Sequence, residues 1–321
     1  MSNEYTAEVK RFTENLLHNE EDYFRLKQSI DGLYKHFSQI TGITAGDLTN
    51  AHFTAAQNGE VVAAPMAAHC LLEIKRTTAF LRGIHDAILT RLSTQKSIQI
   101  LYAGCGPYAT LITPLLSLFP RGQIQVVLAD INKASLQSAK ALLKKLQLDH
   151  FLSATHTLDL TDPDIHLDNS FDVIISETMQ NTLSQECQVP LTRNLIRFLS
   201  RKGTFIPQKI DLELYARGGL DIQDPKGTPK EWLGTVYSLD YQNVPEPDHR
   251  TELSIKENIT PNLHLYTTIY LHGKHVLEAF DCSLTMPQHL TELKNPRPQR
   301  IAFTYREGDK MGVEHEMIYE D

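Results

Sequence analysis

The sequence predicts an α/β fold, a parallel sheet covered by helices, with helices before it and an antiparallel β module after it. Three observations predict this. Residues 97–207 alternate short β-rich apolar runs with helix-like stretches, as strands buried on both faces require. Residues 1–96 carry apolar side chains at helical spacing, and from Gln208 the apolar period becomes two. The chain therefore divides into a helical segment at 1–96, an α/β domain at 97–207 and a β-rich domain at 208–321.

The elements follow in order. Phe12, Leu16, Leu17, Tyr23, Phe24, Ile30, Leu33, Tyr34 and Phe37 recur at roughly helical spacing with charges between them. A looser stretch at 41–60 precedes a second helical run at 67–92. Runs at 97–103 and 123–129 read as strands, with a helix beginning near Tyr108 between them. Residues 133–146 form a helix with Ala134, Leu136, Ala139, Leu142, Leu143 and Leu146 on its apolar side. Residues 171–176 are another buried strand and 190–199 a further helix. In the last third, Ile210, Leu212 and Leu214 alternate with polar residues, as do Leu263, Leu265, Thr267, Ile269 and Leu271. Such alternation predicts half-buried antiparallel strands. Pro- and charge-rich stretches at 224–230, 245–250 and 295–300 read as their loops.

Composition narrows the function. A hydrophobic fraction of 41% and a charged fraction of 22% are those of an ordinary soluble globular protein. No apolar run is long enough for a bilayer, and the N-terminus lacks a secretory pattern, so no membrane role and a cytoplasmic location are expected. A net charge of −8 disfavours a nucleic-acid partner, because phosphate binding depends on Lys and Arg. The four cysteines are scattered, without a Cys-x-x-Cys pair, and no metal site is expected. His272 and His275 are a close pair without an evident carboxylate partner.

The chemistry-bearing stretch is Ile98-Gln-Ile-Leu-Tyr102-Ala-Gly104-Cys-Gly106-Pro-Tyr108. A strand ending in glycines lets the backbone approach a ligand at the strand's carboxyl end, since glycine has no Cβ. The third glycine of a dinucleotide fingerprint is missing, which counts against a pyrophosphate. Asp130 ends the next strand, where a carboxylate can accept both ribose hydroxyls. Asp159 ends the third strand, and Phe171-Asp-Val-Ile-Ile-Ser-Glu177 supplies the fourth. Each acid alone also reads as a solvated strand-end or cap residue.

This ordered series resembles the class I S-adenosylmethionine-dependent methyltransferases, over about residues 76–207. The resemblance implies a Rossmann-like methyltransferase fold with S-adenosylmethionine as cofactor. It implies that Gly104 and Gly106 pack under the cofactor's methionine part, that Asp130 binds ribose, and that Asp159 and Leu160 lie near adenine. Tyr102 stands where that family often has an acid, two residues before the first glycine, and is grouped with the cofactor site.

The layout is most similar to the protein arginine methyltransferases. Ser176-Glu177-Thr-Met179…Leu183…Glu186 resembles that family's two-glutamate hairpin, with the acids nine positions apart. Arg76-Thr77-Thr-Ala-Phe80 resembles its Arg-Thr-x-x-aromatic helix, whose arginine binds the cofactor carboxylate. The order of helices, nucleotide fold and β module agrees. The N-terminal helices are expected to cover the active site, with Tyr23, Tyr34 and His69 as candidate contacts. Thr178 replaces the family's aromatic residue, Gln180-Asn181 its Gly-Tyr, and no Thr-His-Trp motif occurs. These departures suggest a differently built pocket.

A guanidinium is planar and stays protonated, so two convergent carboxylates can grip it and fix one nitrogen. Alignment of this kind contributes up to about 7–11 kcal/mol in favourable cases. Glu177 and Glu186 are therefore the expected catalytic pair, acting on a guanidino group of free arginine or a related small molecule. Other readings stay open at this point. They are a hydroxyl, carboxyl or amine acceptor, a protein arginine substrate, and a cofactor-binding fold without catalysis. The sequence leaves the oligomeric state open, with a homodimer among the expectations.

Overall fold

The computed structural model describes residues 2–18, 22–44, 54–55, 60–61, 64–168, 170–308 and 310–319. Most of the stretch expected to be looser, 41–60, lies outside them. Helices α1 (Ser2–Leu17) and α2 (Tyr23–Thr41) pair at the N-terminus. In α2, Leu26, Ile30, Leu33 and Phe37 are buried at intervals of three and four, the stripe that makes an amphipathic helix pack. Asp22 caps its start by accepting from the Arg25 amide at 3.1 Å, and Gly42 ends it at φ +72°. Two-residue strands β1 (Thr54–Ala55) and β2 (Glu60–Val61) pair antiparallel.

The single helical run expected at 67–92 is two helices, α3 (Ala64–Cys70) and α4 (Ile74–Leu92). Thr77 bridges the break, its hydroxyl donating to the Leu71 carbonyl at 3.0 Å. The break turns Glu73 and Arg76 toward a common cavity.

Strands β3 (Ile98–Ala103), β4 (Ile124–Asp130), β5 (Leu152–Thr157), β6 (Phe171–Ser176) and β7 (Leu199–Ile206) form one parallel sheet. Its order is β5-β4-β3-β6-β7. The chain runs outward from β3 to β5 and then returns to the far side of β3, which makes a switch point at the carboxyl ends of β3 and β6. The helix expected from Tyr108 is mostly turn, followed by the four-residue α5 (Thr113–Leu116). Ala109 sits at φ +44°, outside helical space, and the Thr113 hydroxyl donates back to the Tyr108 carbonyl at 2.7 Å. Helix α6 (Lys133–Lys145) is capped by Asn132, which accepts from the Ala134 amide at 2.9 Å. Helix α7 (Gln188–Leu195) leads into β7 through a 3₁₀ turn, where one helix over 190–199 was expected.

The remaining strands are antiparallel. They are β8 (Lys209–Arg217), β9 (Lys230–Asp240), β10 (Arg250–Ser254), β11 (Asn262–His272), β12 (His275–Leu277), β13 (Gln288–Glu292), β14 (Arg300–Arg306) and β15 (Gly312–Ile318). One sheet runs β12-β11-β8-β9 with β13 also on β11, and a second runs β10-β14-β15. The alternation expected in β11 is incomplete. His264 and Tyr266 are buried as well as their apolar neighbours, because Arg217 lies against both.

This β module is bolted to α4. A Cβ on Gly83 would sit 3.0 Å from Leu271 Cβ, so glycine permits the close helix–strand approach. His275 pairs with Asp86 at 2.8 Å, supplying the carboxylate partner that the sequence did not reveal. Among the described residues no helix is long and apolar enough to cross a membrane, and no cluster of three or more metal-ligating side chains occurs.

Candidate active site

The carboxyl ends of β3, β4 and β6 open into a cavity of about 450 Å³, a size typical of small-molecule sites. Its floor is the turn after β3. Gly104 and Gly106 adopt φ +67° and +63°, a region costly for residues with a Cβ. Packing adds a second constraint at Gly104, where a Cβ would come within 2.3 Å of Thr178 Cγ2. Asp130 is buried beside this turn. It accepts from the Gly106 amide at 2.9 Å and the Asn132 amide at 2.8 Å. Burial raises its carboxyl above the ordinary range, with the two amides opposing. Tyr102 lines the cavity with its phenol pushed upward by burial.

Arg76 enters from α4 and is almost fully buried. Its guanidinium donates to Glu73 at 2.8 Å and, in a short contact, to Glu177 at the end of β6. Glu73 in turn accepts from the Ser283 amide at 2.9 Å and hydroxyl at 2.7 Å. The Arg76 guanidinium is held protonated by Glu177 against the pull of desolvation. At Glu177 burial is the larger influence and raises the carboxyl, while Arg76 favours its ionised form. With a guanidinium in direct contact, the charged pair is the state the geometry supports.

Glu186 approaches from the loop after β6. It is buried, and its carboxyl is pushed up to about 7 by burial and by the nearby Glu177 charge. The loop that carries it is held from several sides. Gln188, at the start of α7, accepts from the Thr178 amide at 3.0 Å. Three non-glycine residues, Thr182, Leu183 and Gln185, take positive φ. Such conformations cost about 1 kcal/mol or more each and persist only when surroundings impose them. The β module imposes them here. Tyr305 donates its hydroxyl to the Leu183 carbonyl at 2.8 Å, Thr267 donates to Asn181 at 3.1 Å, and the Gln185 amide donates to the Met311 carbonyl at 3.2 Å.

Of the residues singled out from sequence, Arg76, Tyr102, Gly104, Gly106, Asp130, Glu177 and Glu186 line this one cavity. Asp159 and Leu160 do not. Strand β5 ends at Thr157, and Asp159 folds back to accept from the Thr161 amide at 2.9 Å and hydroxyl at 2.7 Å. Leu160 is buried, its carbonyl accepting from Asn194 at 2.7 Å. His69 reaches the lining, whereas Tyr23 and Tyr34 do not. Sequence reasoning missed Glu73 and Ser283. The first stands three residues before Arg76 and was open to detection as an i, i+3 ion pair. The second carries no local signal.

Comparison with known proteins bears on the domain and its fold. Residues 94–238 match the family model described as a methyltransferase domain. No curated protein matches the chain in sequence. Among solved structures, the Trypanosoma brucei PRMT1 enzyme–prozyme heterotetrameric complex with AdoHcy is similar at a TM-score of 0.51 and 14% identity, covering 79% of this chain and 97% of that one. Arabidopsis thaliana protein arginine methyltransferase 10, in an open conformation, has a TM-score of 0.49 and 13% identity, covering 74% of this chain and 86% of that one. With its switch-point cavity, glycine turn and buried Asp130, the chain has a class I methyltransferase fold, carries a methyltransferase domain at residues 94–238 whose cofactor is S-adenosylmethionine, and resembles the protein arginine methyltransferases in architecture.

Proposed function

We propose that the enzyme N-methylates a guanidino group of a small molecule. The observation that carries this reading is the convergence of two glutamates, the largely buried Glu177 and the buried Glu186, on the cavity floored by Gly104 and Gly106. One of them, Glu177, already holds a guanidinium, that of Arg76.

The lining residues fit the cofactor. Gly104 and Gly106 expose backbone to the cavity at positive φ, Asp130 would accept the ribose hydroxyls, and Arg76 would bind the carboxylate. When bound, S-adenosylmethionine supplies an electrophilic methyl group on a sulfonium. Glu177 and Glu186 then grip the planar acceptor by charge-assisted bonds and orient one nitrogen toward that methyl. Methylation of a guanidinium releases one N–H proton, and Glu186 in its ionised form is the carboxylate placed to take it. Met179, Leu111 and Leu284 line the same cavity and limit water around the ion pairs.

The test is incubation with labelled cofactor against free arginine, an Arg-Gly-rich peptide and a metabolite extract. Label should enter a guanidino compound. Labelling of the extract with no guanidino acceptor modified would overturn the reading.

A further inference from the structure

Resting on that guanidino reading, we infer that the acceptor is a small guanidinoalkane that carries no carboxylate and bears a second cationic group on its tail. The cavity is strongly acidic. Glu73, Asp130, Glu177 and Glu186 line it against one guanidinium, that of Arg76. Among the described residues the lining has no lysine and no second arginine. The stretches outside the described residues contain neither residue type.

Arg76 is not free to receive a second anion. It is shared between Glu73 and Glu177, and it is the group available to the carboxylate of the cofactor. Bound cofactor, with a sulfonium, an ammonium and a carboxylate, adds one net positive charge. Two negative charges then remain uncompensated in a buried, low-dielectric space, where such an imbalance matters far more than in water. A guanidinium cancels one of them. An ammonium on the same molecule cancels the other, whereas an α-carboxylate restores the excess and meets no lysine or second arginine, His69 being the one other basic side chain in the described lining. The carboxyl of Glu186 is pushed up to about 7 first by burial and then by the neighbouring Glu177 charge.

The walls also suit a short acceptor. The turn at Ser283–Thr285 crosses from the β module and is tied to Glu73 through the Ser283 amide and hydroxyl. Asn181 donates to the Met286 carbonyl just beyond it, so the same turn is anchored to the loop after β6. Protein thus bounds the space on the α4 side and on the Glu186 side together.

The test compares kcat/KM for agmatine, butylguanidine, free arginine and an Arg-Gly-rich peptide at low and high salt, with labelled cofactor and the full chain. Agmatine should lead, butylguanidine should follow, and arginine should trail agmatine by roughly tenfold or more. The gap should narrow at high salt, because screening weakens the cavity's field at the acceptor's tail. Arginine used as well as butylguanidine overturns the inference while leaving the guanidino reading intact, and so does a peptide preferred over agmatine. Failure of all four acceptors, with cofactor binding retained, overturns the guanidino reading itself.

Discussion

Arg76 on α4 and Glu177 at the end of β6 form a largely buried ion pair that lines the cavity. The pair joins the two ligand sites. Its arginine faces the region assigned to the cofactor, and its glutamate belongs to the pair assigned to the acceptor. Each member therefore has a separable role that substitution can expose.

Glu177→Gln removes one charged partner of the acceptor while keeping its shape. Methyl transfer should fall by about 10²–10³-fold, the range seen when one preorganised electrostatic contact is lost. Cofactor affinity by calorimetry should change only a few-fold, because Glu73 still holds Arg76. A collapse of cofactor binding would move Glu177 into the cofactor site.

Arg76→Ala leaves Glu73 and Glu177 without their cation. Loss of one partner of a buried pair costs about 3–5 kcal/mol, and denaturant melts should show a loss of this order. Cofactor binding should weaken strongly in the same variant. Near-native cofactor affinity would place the cofactor's carboxylate elsewhere.

Gly104→Ala meets both a positive φ and Thr178 Cγ2 at 2.3 Å. The left-handed conformation alone costs about 1–2 kcal/mol. Adding Thr178→Ser, which deletes Cγ2, should recover the steric part but not the backbone part. Cofactor titration of the single and double variants separates the two contributions, and full recovery in the double variant would leave φ without influence.

Glu186 governs two pH dependences of opposite sign. Its folded-state carboxyl stands near 7, above the ordinary glutamate value, because burial and Glu177 favour the neutral form. Stability from this group is complete below the unfolded value and is lost as pH rises through about 7, by up to about 3 kcal/mol. Glu186→Gln should therefore raise Tm relative to the wild type at pH 8 and leave it nearly unchanged at pH 4. Acceptor gripping needs the ionised form, so kcat/KM should rise with pH through the same region, and the variant should lack this limb. A limb that survives in Glu186→Gln would belong to another group.

The sequence by itself determined the α/β core, the glycine turn and the order of the acids, because each rests on local rules. Strand period, the missing Cβ of Gly104 and Gly106, and a carboxylate at the end of β4 can be read within a few residues. The expectation of a helix from Tyr108 did not hold, since the turn closed by Thr113 competes locally with helix formation. Asp159 was expected near adenine from its place after the third strand, whereas in the structure it accepts from the Thr161 amide and hydroxyl and is not among the cavity-lining residues. Only the tertiary structure decided where Glu186 stands. Its loop carries three strained residues and depends on Thr267, Tyr305 and Met311, which lie far along the chain. Tertiary packing also joined Ser283 to Glu73 and Glu73 to Arg76. Contacts between residues so distant in sequence leave no periodicity and no motif, so they emerge only when α4 and the β module close on the same cavity.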